Sequence, residues 1–355
     1  MKTNNQKDNF DQISKAFDRE EKSERKEESK NKNPTTLELS QDKKITTNKN
    51  SSKSWEEIKN GGVKIKEDQN REGRKLERKS ENIKTDWGNV SKSYDKYLVS
   101  DGSYHADVIM PNLFRMIGKV TDEKNKNPLT ILDIACGQGQ IVSELHKLGA
   151  KAEGFDYGID LIKIAKENTK KDNSNINYLV ADAQNFADNY FDKKENKYKT
   201  FDIITCVLAI QNIENIKLVL ENIKKVTNKN SKIYLVINHP AYRIPKHTEW
   251  GYTQEGSGDK NTSIQYRRVD KYMSEEKIKM DMNPSVKIEA SKEYTYSYHR
   301  PLQYYFKLFS NNNFAVTRLE EWISNRVSDG KHEDRENIAR REFPMFMCLE
   351  IKNIW

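Results

Sequence analysis

The chain has 355 residues, of which 35% are apolar and 33% charged, and a formal net charge of +8. That apolar share is too small to bury the whole length in a core, and no apolar run approaches the ~20 residues of a membrane-spanning helix or the h-region of a secretory signal. Three cysteines at unrelated spacings, Cys136, Cys206 and Cys348, exclude a disulfide framework and a zinc site, so the expected protein is soluble, cytoplasmic and free of metal.

Residues 1–84 are rich in Lys, Glu, Asn and Ser and carry few aromatics. Such a segment cannot offset its ordering entropy by burial, and a disordered charged tail is expected. Its basic surplus allows an interaction arm, although the interspersed acids weaken a phosphate-binding reading. Order is expected from about residue 85 to the C-terminus. Trp87 to Tyr97 carries aromatics at helical spacing, and Val108 to Ile117 follows the 3.6-residue period of an amphipathic helix.

From residue 129 the text changes character. Leu129-Thr130-Ile131-Leu132-Asp133-Ile134-Ala135-Cys136-Gly137-Gln138-Gly139-Gln140 reads as a buried strand that stops at an acid and turns through two glycines. Gly137 and Gly139 let the backbone turn tightly and let a ligand approach it, and the helix that follows offers unpaired N–H groups. Val142 stands where the third glycine of a dinucleotide fingerprint would be, which counts against a nicotinamide cofactor.

Alternation then continues. Strand Ala152–Phe155 precedes helix Leu161–Thr169, for which Asp160 is a candidate N-cap. Strand Ile176–Val180 leads to Ala181-Asp182-Ala183. Strand Phe201–Leu208, helix Ile213–Val226 and strand Lys232–Asn238 follow. This is the pattern of βαβ units on a parallel sheet. Residues 239–300 break it. Ser263–Met273 and Val286–His299 read as two strands of an antiparallel insertion that covers the sheet, and helix Pro301–Phe309 and strands Phe314–Trp322 and Met345–Ile351 complete the chain. The expected fold is a Rossmann-like, doubly wound α/β domain with a seven-stranded, mostly parallel sheet and an antiparallel insertion after strand 5.

In such a sheet ligands bind outside the carboxyl ends of the strands. Asp133, Asp156 and Asp182 end three successive strands there. Asp156, about two dozen residues after Asp133, has the spacing of a ribose-binding acid. A carboxylate accepts two hydroxyl hydrogen bonds, and Asp182 beside Ala183 offers an acceptor and a backbone donor to an adenine edge. One such acid alone is an ordinary loop residue; three in order are not easily explained that way.

These residues together resemble class I S-adenosylmethionine (SAM)-dependent methyltransferases. Ile131 to Gln140 looks like their first motif, Glu153-Gly154-Phe155-Asp156-Tyr157 the second, Ala181-Asp182-Ala183 the third and Phe201 to Ile213 the fourth. The likeness is closest to the small-molecule group that includes the ubiquinone and menaquinone C-methylating enzymes, and covers residues 87–355. It implies SAM as cofactor. Asp133, Ala135, Cys136, Gly137 and Gly139 would hold its methionine part, Asp156 the ribose, Tyr157 the side of the adenine, Asp182 and Ala183 its edge, and Leu208 the sulfonium. Tyr94 matches a tyrosine of the leading helix that reaches the cofactor, or is a core aromatic. Ser is common after the second acid, where this chain has Tyr157-Gly158.

The acceptor side is less defined. His239 leaves the fifth strand at the methyl-donor edge and is either a general base or an orienting group for its loop. Gln211 and Asn212 follow strand four. Arg243, Arg267 and Arg268 could grip an anion, or Arg268 could pair with surface neighbours such as Asp270. Tyr294, Tyr296 and Tyr298 would share one strand face, next to His299 and Arg300, and could line a planar substrate or simply pack the insertion. The leading expectation is methyl transfer to a small, planar or anionic molecule. Alternatives are an RNA methyltransferase that uses the basic tail, since tyrosines with cations also suit single strands, and a SAM-binding regulator without turnover.

Overall fold

The computed structural model describes residues 103–122, 126–171, 174–255, 262–281 and 294–354. The expected tail, the 84/85 boundary, the Trp87 to Tyr97 segment and Tyr94 lie outside the described residues.

A π-helical turn, His105–Ile109, runs into helix α1, Met110–Ile117. Then follow β1 Thr130–Ile134, α2 Gln140–Lys147, β2 Lys151–Asp156, α3 Ile159–Lys171 and β3 Asn177–Val180. A 3₁₀ turn at Phe186–Tyr190 and a short hairpin (Phe191–Asp192 with Lys197–Tyr198) lead to β4 Phe201–Val207. The next elements are the 3₁₀ turn Ile210–Asn212, α4 Ile216–Lys225 and β5 Thr227–Asn238. The insertion comprises β6 Thr248–Glu255, β7 Thr262–Val269, β8 Glu276–Asp281 and β9 Tyr294–His299. The chain closes with α5 Leu302–Asn311, β10 Phe314–Trp322, α6 Glu333–Glu342 and β11 Phe346–Asn353.

The main sheet has seven strands in the order β10-β11-β5-β4-β1-β2-β3. The pairs β1–β2, β1–β4, β2–β3 and β4–β5 are parallel, whereas β11 is antiparallel to both β5 and β10. The expected Rossmann-like, doubly wound sheet is therefore present. Its strand order reverses at β1, which has β2 on one side and β4 on the other.

The sheet is buried on both faces because its strands alternate between two apolar layers. Leu132 and Ile134 of β1 join Phe155, Phe186, Leu220, Leu235 and Phe309 in one core. Ile131 joins Leu113, Val142, Ile162, Tyr234 and Trp322 in the other. In α4 the residues Ile216, Val219, Leu220 and Ile223 are spaced to form one stripe, and all four are fully buried. Each contributes roughly 1.5–3 kcal/mol over the exposed state. The edge strand β10 exposes Arg318 and Glu321 along its length, which discourages pairing with another chain. Cys206 and Cys348 are buried core residues.

Three details depart from the sequence reading. Asp160 is not the N-cap of α3; it lies inside the first turn and pairs with Lys163. The turn before the helix is held instead by Asp156, which accepts from the Gly158 N–H. Helix α4 starts three residues later than expected, because Asn215 caps it by accepting from the Leu218 N–H. Among the described residues the insertion has four strands in two antiparallel pairs, β6–β7 and β8–β9, not two strands, and the first part of the expected strand Val286–His299, up to residue 293, lies outside the described residues. Thr248–Glu255 and Glu276–Asp281 are too polar to read as strands by themselves; their cross-strand partners supply the pairing. No described helix is long and apolar enough to cross a membrane.

Candidate functional site

The site starts from the turn after β1. Ala135 (φ +56°), Gly137 (φ +55°) and Gly139 (φ +79°) all take the left-handed backbone. A single Ala there is strained by about 1–2 kcal/mol, the kind of outlier that accumulates at functional sites. The turn is pinned to β2 by the Cys136 N–H donating to the Phe155 carbonyl, and it closes on itself through Gly139 N–H to Cys136 O. Above Gly137 there is open space among the described residues: a Cβ placed there would meet none of their atoms within 4 Å. Gly139 is the opposite case, since a Cβ there would come 2.4 Å from the Tyr178 hydroxyl, which donates to the Gly139 carbonyl. One face of the turn is thus sealed and the other is open to a ligand.

Gly154 explains the missing third glycine. A Cβ at Gly154 would lie 2.9 Å from Cys136 Sγ and from Val142 Cγ2. The room that a glycine on α2 would create is made by a glycine on β2 instead. Gly139→Ala is expected to lower unfolding free energy by roughly 2–4 kcal/mol, and Gly137→Ala by about 1 kcal/mol, measured by urea denaturation. Equal losses would contradict this sealed-and-open arrangement.

Two carboxylates sit under the turn. Asp156, at the end of β2, accepts from the Gly137 N–H through Oδ2 (2.9 Å) and from the Gly158 N–H through Oδ1 (2.7 Å). One side chain therefore ties the glycine turn to the β2–α3 turn, and the Tyr157 N–H is a third backbone donor to it. Burial raises its pKa, and the backbone donors pull the other way. Asp133 is more enclosed, only 2% exposed, and accepts a 2.6 Å hydrogen bond from Thr205 Oγ1 on β4. Burial pushes its pKa up to about 7, against the Thr205 hydrogen bond and with the help of the Asp156 charge. So Asp133 braces β1 against β4 beneath the turn and does not project into open space. Asp182 lies two residues beyond β3 and accepts from the Gln184 backbone and side chain. Ala183 is buried beside it and Tyr157 is 45% exposed. The Cys136 thiol is raised well above its usual pKa by burial, so it is an inert packing group.

Across the switch point, β4 also ends in a left-handed residue, Leu208 (φ +52°), whose N–H donates to the Val236 carbonyl at 2.7 Å. Asn212 Nδ2 reaches back to the Leu208 carbonyl. Gln211 is 7% exposed, and its Oε1 has no hydrogen-bond partner among the described residues. The adjacent strands β1 and β4 thus both finish in strained non-glycine residues on either side of one crevice.

The acceptor-side residues separate into two groups. Tyr298, His299 and Arg300 gather beside the β4 turn. Arg300 Nη2 donates to the Ile213 and Glu214 carbonyls (2.9 and 2.7 Å), and its guanidinium lies over the rings of Tyr298 and Tyr304. His299 is held by the Tyr272 carbonyl at 2.8 Å, and burial lowers its pKa. Tyr294, Tyr296 and Tyr298 do share a face, on which Lys279 and Lys277 lie over the rings. Tyr272, Tyr304 and the two lysines were not singled out in the sequence. The alternation of Lys277 and Lys279 was the available signal, visible only once β8 is paired with β9.

The other group is structural. Arg267 donates to the Tyr242 carbonyl and Thr248 Oγ1 and stacks over Trp250, and Arg243 lies over Phe346. Arg268 pairs with Glu249 and Asp270 on the surface of the hairpin, so the anion-gripping reading of this trio is corrected: these cations are spent on neighbours. His239 is corrected too. Its Nδ1 accepts from the Ala241 and Tyr242 N–H groups, and its Nε2 lies 2.7 Å from Glu321 Oε1. Acceptance at Nδ1 puts the proton on Nε2, so neither nitrogen is available as a base, and the ring orients the 239–247 loop. Burial lowers its pKa.

The fold and site define a class: an open, doubly wound α/β protein with a glycine-turn crevice at its switch point. Residues 125–280 match the family model described as a methyltransferase domain. The chain is 26% identical over 112 residues to a ubiquinone biosynthesis O-methyltransferase of Glaesserella parasuis, covering 31% of this chain and 46% of that protein. The namesake of Pelagibacter ubique is 28% identical over 115 residues, 32% and 44%. That of Colwellia psychrerythraea is 22% identical over 179 residues, 47% and 70%. The chain thus spans about half the length of the first two relatives. Among solved structures, an S-adenosylmethionine dependent methyltransferase from Mesorhizobium loti superposes with a TM-score of 0.49 at 19% identity, over 68% of this chain and 96% of that one. Residues 125–280 are thus similar to methyltransferase domains.

Proposed function

We propose that the protein transfers a methyl group from SAM to a small molecule. The observation that carries this is the Asp156 carboxylate, which stands at the end of β2 and joins the two turns at the switch point of the sheet. The residues present fit SAM: an open space over Gly137, an acid at the end of β2 and a second acid with a buried alanine after β3. Asp156 accepts from the ribose hydroxyls, Tyr157 flanks the adenine, and Asp182 and the Ala183 N–H read its edge. The turn 135–139 receives the methionine part, with Asp133 supplying negative charge from below. Leu208 stands at the sulfonium.

SAM supplies an electrophilic methyl on a positively charged sulfur. The protein's part is to align the acceptor, exclude water and, for some acceptors, receive a proton. No side chain need bond to the methyl. The first curated relatives are ubiquinone biosynthesis O-methyltransferases, which supports a small acceptor. A cytoplasmic setting goes with this reading. The face of Tyr294, Tyr296 and Tyr298 gives less support to RNA, because ammonium groups already lie over those rings.

The test is an untargeted metabolite screen for SAM-dependent mass gains of one methyl group, with S-adenosylhomocysteine (SAH) release as the second readout. Small-molecule methylation retained after deletion of residues 1–84 is the expected result. Copurified nucleic acid with steep salt dependence would point to RNA instead. SAH binding without turnover on any acceptor would point to a regulator.

A further inference from the structure

Two buried polar atoms beside the methyl-donor edge have no partner among the described residues. One is an acceptor, Gln211 Oε1, in the 3₁₀ turn that follows β4. The other is a donor, Arg300 Nη1, between β9 and α5. Their residues are only 7% and 5% exposed. Buried polar groups are nearly always satisfied, and an orphan costs the desolvation of that group. The two are also linked: Arg300 uses its other amino group to hold the Ile213 and Glu214 carbonyls, the residues that continue the Gln211 turn. The guanidinium is fixed in orientation by the rings of Tyr298 and Tyr304, so Nη1 is held in place and not left to find solvent. Gln211 is one residue past Ile210 and three past the strained Leu208, so its amide is set by the same turn that ends β4.

We propose that Gln211 and Arg300 form the recognition pair for the methyl acceptor, and that the acceptor carries a hydroxyl or amine beside an oxyanion. This rests on the methyltransferase reading above. Gln211 Oε1 requires a donor, which an O–H or N–H supplies. Arg300 Nη1 requires an acceptor, and a carboxylate gives a charge-assisted bond. With its proton held by Gln211, the nucleophilic atom turns a lone pair toward the sulfonium side. That lone pair forms the new bond to the methyl carbon, the carbon–sulfur bond breaks, the sulfur keeps its electron pair as a thioether, and the acceptor's proton leaves to water. An amide oxygen is too weak a base to take that proton, so Gln211 is a positioning residue.

The test uses the full chain saturated with SAH and four probes: 2-hydroxybenzoate, 2-aminobenzoate, benzoate and phenol, by calorimetry. The two ortho-substituted benzoates are expected to bind about tenfold or more tightly than benzoate or phenol, the value of one added hydrogen bond. Gln211→Leu should remove the preference over benzoate and keep that over phenol. Arg300→Gln should do the reverse. Because Arg300 also braces a loop, thermal unfolding accompanies each variant. Gln211→Leu should leave the Tm unchanged or higher, since an orphaned amide is replaced by an apolar side chain. A Tm fall of the size a core residue gives, or equal binding of all four probes, overturns the proposal. Failure of the chain to bind SAH at all would instead overturn the methyltransferase reading.

Discussion

Asp156→Ala is expected to weaken SAH binding by about a hundredfold or more, measured by calorimetry. The carboxylate accepts from a ribose hydroxyl, and a charge-assisted hydrogen bond is worth about 1.5–3 kcal/mol. The same substitution removes the two bonds that join the Gly137 and Gly158 turns, so the crevice also loses its brace. Asp156→Asn separates the effects. An amide keeps one acceptor but must aim its NH₂ at one of the two backbone donors, so one turn is released while the volume is conserved. It should fall between wild type and alanine. Circular dichroism identifies variants that remain folded. Unchanged SAH affinity in a folded Asp156→Ala protein would sink the ribose assignment.

The second large effect concerns pH. Asp133 holds its proton in the folded chain up to about 7, whereas the unfolded carboxyl releases it near its ordinary value of 3.8. Between those values the folded state binds more protons, so stability falls as pH rises from about 4 to about 7 and levels off above. Three pKa units correspond to about 4 kcal/mol at most. Asp156 is shifted in the same direction. His105, lowered to about 4 by burial, acts oppositely: its contribution is complete above 6.5 and is lost as pH falls toward 4. His239 and His299 share that sign. The test is therefore a difference. Asp133→Asn keeps an acceptor for Thr205 and removes the charge, so the variant gains stability relative to wild type as pH rises from 5 to 8, followed by urea denaturation. A ligand carrying positive charge draws Asp133 into its ionised form, so wild-type affinity for SAM should rise across the same window and that of the variant should not. Parallel stability curves would show that Asp133 is not the titrating group.

Much of this site is readable from local text. A buried strand needs a run of apolar residues, and a turn that admits a ligand needs residues without a Cβ in the way. Both signals are contiguous in Ile131 to Gly139, and Asp156 follows at a fixed interval because one helix and one strand have typical lengths. The parallel pairing of β1 to β5 follows from the alternation of the pattern, whereas their order in the sheet is set by tertiary packing. The insertion resists the same treatment. Thr248 to Glu255 shows little periodicity, and Trp250 gains its role from Arg267 across the hairpin and from Phe343, the residue that follows α6. The arginines illustrate the limit best. Arg267, Arg268 and Arg300 look alike as text, yet one stacks on Trp250, one pairs with Glu249 and Asp270, and one holds the Ile213 and Glu214 carbonyls.

What the amino-acid sequence by itself determined, then, is the cofactor side: a parallel sheet, a glycine turn and acids at successive strand ends. Those features are local, because strand, turn and strand-end residue are neighbours along the chain. Only the tertiary structure decided which side chains remain available. It showed that His239 is consumed by two backbone N–H groups and Glu321, that Gly154 makes the room Val142 would deny, and that Arg300 holds the two carbonyls that follow the Gln211 turn. A side chain's availability depends on partners far away in the chain, and burial by those partners sets both its hydrogen bonds and its charge.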